Sequence, residues 1–315
     1  MRTRKLGKTD LELTVIGLGT WAIGGPWQYS WGPQDDEASI RTILAAIEAG
    51  VNWIDTAPIY GCGHSEEVVG RALKQMSRKP LIATKCSLLW NDKREKISCL
   101  DRDSVIKECE DSLKRLGVEV IDLYQMHWPQ PEEQIEEGWD AMASLVRQGK
   151  VRHIGVSNFN VAQLQRIAGI HPVASLQPPY SMLHRDIEKE ILPYCGKNKI
   201  GVVVYSPMQK GLLTGQFSKA HMQTLAPDDH RHIDPDFHGE KFERNLKIVE
   251  ALRPIAERNR KTLAQLAIAW VLQRDEVTAA IVGARKQKQV QETVQAGDWV
   301  LSKDDINEID EILAG

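Results

Sequence analysis

Four side chains in this sequence combine into a proton-handling set. Asp55, Tyr60, Lys85 and His127 each stand at, or just beyond, the end of a short apolar run. A tyrosine hydroxyl, with a pKa of about 10, is a poor acid–base group near neutrality. An adjacent ammonium favours the phenolate and lowers that value. In this arrangement Lys85 would tune Tyr60, Asp55 would hold Lys85, and His127 would donate a hydrogen bond to a substrate oxygen. Such a set suits proton transfer to a carbonyl. Each residue alone has a plainer reading. An Asp after a strand is usually a turn former or helix cap, a Lys there usually snorkels to solvent, and a His beside Trp128 usually packs. The chemistry depends on all four arriving at one place.

The elements that would bring them together follow a regular rhythm. After an opening hairpin pattern at 5–13, apolar runs fall at 15–18, 52–54, 81–83, 121–125, 153–156, 174–176, 202–204 and 279–282. Amphipathic stretches follow them at 37–48, 65–74, 104–116, 135–147, 161–168, 187–195, 242–259 and 287–295, with further helices expected at 262–273 and 303–313. Gly50, Gly117 and Gly149 sit where helices should stop. Eight strand-then-helix units in one continuous series predict a single (β/α)8 barrel spanning 1–315, with an N-terminal hairpin and extra C-terminal helices. An open doubly wound sheet would favour a GxGxxG turn after its first strand. The nearest match, Gly17-Leu18-Gly19-Thr20-Trp21-Ala22, puts bulk where a backbone must approach a pyrophosphate. A barrel gathers its site at the C-terminal ends of its strands. The residues there are Asp55, Lys85, His127, Ser157-Asn158, Gln177, Tyr205-Ser206 and Gly283-Ala284-Arg285.

Composition narrows the function classes. The 315 residues carry 40 Lys and Arg against 43 Asp and Glu, a net charge of −3, with no basic stripe of the kind that binds nucleic acid. No apolar run is long enough to span a membrane. Five cysteines, at 62, 86, 99, 109 and 195, form no CxxC pair or zinc pattern and read as free thiols in a reducing, cytoplasmic setting. Cys62, two residues past Tyr60, reads better as a small packing residue than as a redox-sensitive thiol. The segment from Asp228 to His238 is rich in Asp and His, but the nearby prolines, Pro227 and Pro235, and irregular spacing fit a polar lid better than a metal site. The partner these features imply is a small molecule, and a monomer suffices for it.

At these residues the sequence resembles the aldo-keto reductases over nearly its whole length. The resemblance rests on Gly17-Leu18-Gly19-Thr20-Trp21, Asp55-Thr56-Ala57-Pro58-Ile59-Tyr60-Gly61, Ala83-Thr84-Lys85, Asp122-Leu123-Tyr124-Gln125-Met126-His127-Trp128 and Ile154-Gly155-Val156-Ser157-Asn158-Phe159. Gln177-Pro178-Pro179-Tyr180 and Gly211-Leu212-Leu213-Thr214-Gly215 add to it. Among family members the chain looks most like the bacterial general-stress reductases. The resemblance implies a catalytic tetrad of Asp55, Tyr60, Lys85 and His127, and NADP(H) lying across the barrel mouth. By the same resemblance Tyr205 stacks on the nicotinamide, and Ser157, Asn158 and Gln177 hold its carboxamide. Thr20, Trp21 and Asp55 lie near the ribose. Ser206, Pro207, Met208, Lys210, Gly211 and Leu212 follow the pyrophosphate. Gly283, Ala284, Arg285, Gln289, Glu292 and Thr293 surround the adenosine and its 2′-phosphate, although Thr293 departs from the usual Asn. A guanidinium is a natural partner for that phosphate.

The reaction expected is hydride transfer from the nicotinamide to a carbonyl carbon, with Tyr60 as proton donor. Trp21, Trp90 and Trp128 follow strands at the mouth and are expected to line an apolar substrate pocket, with Trp27, Tyr29 and Trp31 extending it. Two alternatives stand beside this reading. One is a cofactor-binding module like the potassium-channel β-subunits, although the hairpin so near Met1 resembles nothing in their N-terminal extension. The other is a Schiff-base lyase using Lys85, which needs a depressed lysine pKa.

Overall fold

The computed structural model describes residues 1–314. Its strands are β1 (Thr3–Lys5), β2 (Glu12–Thr14), β3 (Ile16–Gly19), β4 (Trp53–Asp55), β5 (Leu81–Cys86), β6 (Leu88–Trp90), β7 (Lys96–Ser98), β8 (Ile121–Met126), β9 (Val151–Ser157), β10 (Ser175–Gln177), β11 (Gly201–Val204) and β12 (Val277–Gly283). Eight of them close a barrel in the order β10-β11-β12-β3-β4-β5-β8-β9, every neighbouring pair parallel. Each barrel strand coincides with an apolar run in the sequence, because a parallel strand covered on both faces reads as a continuous hydrophobic stretch. The helices are α1 (Asp36–Glu48), α2 (His64–Leu73), α3 (Arg102–Leu116), α4 (Ile135–Arg147), α5 (Val161–Ile167), α6 (Ile191–Asn198), α7 (Lys219–Met222), α8 (Gly239–Arg258), α9 (Leu263–Leu272), α10 (Gln287–Thr293) and α11 (Lys303–Ala314).

Local chemistry sets the helix ends. The Asp35, Asp101, Asn160 and Thr262 side chains accept from the third backbone N–H of α1, α3, α5 and α9. Gly117 ends α3 in the left-handed conformation, with φ 65°. All ten residues of α9 are buried, as expected for a helix that is apolar on every face.

The barrel interior divides along its axis. At the bottom, the β1–β2 hairpin inserts Leu6, Leu11 and Leu13 against Trp53, Ala83, Leu123, Val203 and Ala279 in one apolar cluster. The Trp53 indole lies across Gly17, where a Cβ would stand 2.1 Å from the ring, and its Nε1 donates to the Thr14 carbonyl at 2.9 Å. The top is polar, and the register puts its members side by side: Asp55 opposite Gly19 and Ala83, Lys85 opposite Gln125, and Gln177 opposite Ser157. The antiparallel β6–β7 hairpin rises beside this mouth and is not evident in the sequence. Across the mouth, the loop after β3 meets the long connection after β11: His230 N donates to Ser30 O at 2.9 Å, and Ser30 Oγ donates to Asp228 at 3.3 Å.

Candidate active site

The polar layer centres on a buried ion pair. Lys85, fully buried, donates through Nζ to Asp55 Oδ1 at 2.6 Å, to the Thr56 carbonyl at 2.9 Å and to Tyr60 Oη at 3.3 Å. Those three acceptors match the three N–H bonds of an ammonium. Asp55 Oδ2 accepts from Gln177 Nε2 at 2.8 Å and from Gln125 Nε2 at 3.3 Å, so both carboxylate oxygens are engaged. His127 faces Tyr60 edge-on, their ring centroids 5.7 Å apart. Residues from β4, β5 and the β8 terminus, 72 positions apart along the chain from Asp55 to His127, are thus assembled as the sequence predicted.

Burial governs the titration of this set. It lifts the Tyr60 phenol well above its ordinary value, and the Asp55 charge lifts it further. The expectation that Lys85 would lower the Tyr60 pKa therefore does not hold in this state: desolvation and the carboxylate outweigh the ammonium. Burial also pulls the Lys85 pKa down, against the opposing pull of Asp55. His127 falls well below the usual imidazole range, through burial first and then the charges of Lys85 and Lys96. The phenol is therefore protonated and the imidazole neutral near pH 7. Lys85 has no exposed surface and spends its donors on three oxygens, so a carbonyl carbon has no approach to its nitrogen.

A cavity of about 430 Å³ opens over these groups. Its wall holds Thr20, Trp21, Asp55, Tyr60, His127, Ser157, Asn158, Gln177, Tyr205, Ser206, Pro207, Met208, Lys210, Gly211 and Gly283, all expected at the site, and Trp128, exposed at the rim. Trp27, Tyr29 and Trp31 line it too. Asn158 takes the left-handed conformation, with φ 63°. Its amide donates to the His127 carbonyl and to Ser157 Oγ, each at 3.0 Å, while its Oδ1 accepts from Tyr205 Oη at 2.9 Å.

Several expected residues lie elsewhere. Trp90 is outside the wall: it sits on β6 and packs on Ala57, Ile59 and Leu88, and Leu88 takes the lining position instead. The Leu212 side chain is buried with Phe217, Phe237 and Phe242 beneath the long connection. Ala284 packs into an apolar cluster that includes Leu18, Ala46 and Val290, and the Thr293 hydroxyl donates back to the Gln289 carbonyl at 2.8 Å. Gln289 Oε1 accepts from Arg285 N and Lys286 N and so caps α10. The Glu292 carbonyl accepts from Gln265 Nε2 at 2.8 Å. Arg285 reaches across to the loop after β3, donating to Gln34 Oε1 at 2.7 Å, to Trp31 O at 2.9 Å and to Pro33 O. Lys210 pairs with buried Asp234. In the Asp- and His-rich segment, Asp229 pairs with Arg231, and Asp236 with His184 and Lys241. Gln125 was not singled out by the sequence; its polar side chain in the middle of an apolar run was the available signal.

A protonated phenol, a buried ammonium and a neutral imidazole at the mouth of a parallel barrel, beneath an aromatic-walled cavity, define an enzyme of the carbonyl-reducing, oxidoreductase class. Comparison with known proteins agrees. The Aldo/keto reductase family profile matches residues 15–314. The aldo-keto reductase YhdN of Bacillus subtilis is 39% identical over 99% of this chain and 94% of its own length. A protein of Escherichia coli named NADH-specific methylglyoxal reductase is 36% identical over 97% of this chain and 96% of its own. Among solved structures, a glycerol dehydrogenase from Gluconobacter oxydans superposes with a TM-score of 0.90 at 40% identity, covering 99% of this chain and 95% of that one.

The chain belongs to the Aldo/keto reductase family. Members of this family use nicotinamide cofactors, and the donor set here suits one. The Ser157 hydroxyl and the Asn158 and Gln177 amides can meet a carboxamide, the Tyr205 ring offers an aromatic face, and Lys210 brings a cation to the wall. Backbone at Gly283 lies open, a Cβ there meeting nothing nearer than 3.8 Å.

Proposed function

We propose that this protein reduces aldehydes and ketones to alcohols with NADP(H), and that Tyr60 donates the proton. The observation that carries the proposal is the contact chain from Asp55 through Lys85 to the Tyr60 hydroxyl, at 2.6 and 3.3 Å, under an open cavity. The bound nicotinamide supplies the hydride for the carbonyl carbon. Tyr60 gives its proton to the carbonyl oxygen as charge develops there. Burial and Asp55 keep the phenol in the form that can donate. Lys85 then steadies the phenolate, and Asp55 keeps the ammonium in place. His127, neutral, donates a ring N–H to the same oxygen without competing as an acid.

Ser157, Asn158 and Gln177 would hold the carboxamide, and Tyr205 the nicotinamide face. Thr20, Trp21 and Asp55 would meet the ribose, and Ser206 through Leu212 the pyrophosphate. Gly283 through Arg285, with Gln289, Glu292 and Thr293, would surround the adenosine. Arg285 is assigned to the 2′-phosphate, exchanging its contacts with the Trp31 and Pro33 carbonyls for it. One relative is named as NADH-specific, so cofactor choice needs its own test. The unbridged cysteines suit a cytoplasmic setting, and among the described residues no helix is long and apolar enough to cross a membrane.

The test is NADPH oxidation by the purified protein over a panel of aldehydes and ketones. Turnover of several members is expected. Tight NADPH binding with no carbonyl reduced would favour the binding-module reading instead.

A further inference from the structure

The rim of the cavity carries a cation that nothing in the fold uses. Lys96, on β7, is exposed at the rim and forms no ion pair among the described residues. The other charged groups of the wall are spoken for: Asp55 by Lys85, and Lys210 by Asp234. Asp55 is also the sole carboxylate of the wall, and it lies beneath the ammonium it holds. Beside Lys96 runs the loop after β3, joined to it by the Lys96 N to Gln28 Oε1 hydrogen bond at 3.4 Å. The residue next to Gln28 is Trp27, which lines the cavity. The Trp27 ring lies 6.3 Å from that of Tyr60, which puts this corner within one small molecule of the proton donor.

We infer that the substrate is a carbonyl compound bearing a carboxylate, which Lys96 receives at the rim of the cavity. The β6–β7 hairpin makes this possible. It pairs Lys96 with Trp90, and the Trp90 ring anchors on Ala57, Ile59 and Leu88, so the ammonium is carried to the rim by a fixed element. Lys96 is also near enough for its charge to bear on His127, the group expected to touch the carbonyl oxygen. No unpaired carboxylate in the wall opposes an incoming anion.

The inference rests on the carbonyl reduction proposed above, and its test separates the two. The probes are 4-formylbenzoate and its methyl ester, which differ in charge; because the ester withdraws electrons more strongly than the carboxylate, the acid-to-ester ratio is read by its change between wild type and variants. The kcat/KM ratio of acid to ester is expected to be roughly two- to fivefold higher in wild type than in Lys96→Gln, as for a partly exposed ion pair, and the wild-type ratio should shrink with added salt. Lys96→Glu should lower the ratio below that of Lys96→Gln, and Lys96→Arg should restore it. Using the ratio cancels any general effect of the substitution on turnover. An equal ratio in wild type and Lys96→Gln overturns the carboxylate site. If neither compound is reduced, the reaction reading fails, and tryptophan fluorescence titration still decides the site. It stands if wild type binds the acid more tightly than the ester and Lys96→Gln abolishes the difference, and it falls otherwise.

Discussion

Replacing Tyr60 with Phe separates the chemistry of the hydroxyl from the packing of the ring. The ring contacts remain, because the phenyl group still faces His127 at 5.7 Å and Trp27 at 6.3 Å. The oxygen removed is the most distant of the three acceptors around Lys85 Nζ, at 3.3 Å against 2.6 and 2.9 Å for Asp55 and Thr56. The ion pair therefore survives. The lost hydrogen bond is worth about 1 kcal/mol, a drop of a few degrees in Tm. The catalytic cost is of another order. A positioned general acid contributes about 10²–10⁴-fold, or roughly 3–5 kcal/mol of barrier. Steady-state kcat at saturating NADPH, with a good aldehyde, should fall within that range. NADPH affinity by fluorescence titration should change little, since the phenol faces the substrate oxygen. Activity within about threefold of wild type would refute the assignment of the proton donor. A collapse of Tm by more than about ten degrees would show instead that the hydroxyl holds the buried ammonium, and the lost activity would then say nothing about proton transfer.

Arg285→Ala should weaken NADPH by roughly tenfold or more while leaving NADH nearly unchanged, because a charge-assisted contact to phosphate is worth about 1.5–3 kcal/mol; equal losses for both cofactors would count against a 2′-phosphate contact. Glu108, fully enclosed with one oxygen unpartnered, has its pKa raised to about 8 by burial. A raised carboxyl pKa means the unfolded chain ionises first, so this group costs stability increasingly as pH rises from about 4.5 towards 8. Glu108→Gln should accordingly raise the urea midpoint by a margin that grows between pH 5 and pH 8, up to about 3 kcal/mol at pH 7; a constant difference would contradict the burial argument. Leu6→Ala at the barrel floor, where Leu6 is fully buried, should cost about 2–5 kcal/mol, read as a lowered midpoint with the active-site geometry, and so KM, nearly preserved.

The parts of the fold that could be read in advance are those with one dominant physical signal. The eight barrel strands announce themselves as apolar runs, and the expected helix at 135–147 coincides with α4, since its apolar spacing matches one helical face. Asp55, Tyr60, Lys85 and His127 were legible because a parallel barrel puts every strand end on one face. What the residues alone did not reveal depends on pairing between segments. The 96–98 strand, Lys-Ile-Ser, is largely exposed and exists through its partner at 88–90. That hairpin also turns Trp90 away from the cavity. Gln125 hides in an apolar run, and its role depends on its meeting Asp55 from another strand. Arg285 was expected at the 2′-phosphate, yet its guanidinium is bound some 250 residues back along the chain, at Trp31, Pro33 and Gln34.

The division of the barrel interior explains how a buried charge pair is tolerated at the site. An ion pair out of water costs several kcal/mol unless its remaining donors and acceptors are satisfied. Here the satisfaction comes from four different strands or their ends: Asp55 from β4, Lys85 from β5, Gln125 from β8 and Gln177 from β10. Gln177 Nε2 also approaches Gln125 Oε1, at 3.3 Å, so the two amides steady one another as well as the carboxylate. Closing the barrel is what brings these side chains within reach, and the apolar floor of Leu6, Leu11, Leu13 and Trp53 helps to hold the barrel closed below them. The network therefore fixes Lys85 before any ligand arrives, and the Tyr60 hydroxyl, on a loop rather than a strand, is positioned by that fixed ammonium. It follows that Gln125→Leu, which leaves one carboxylate oxygen with a single donor, should reduce kcat more than it raises KM, because it loosens the support of the proton donor without touching the substrate. A change confined to KM would place Gln125 in substrate binding and break the chain of support from β8 to Tyr60.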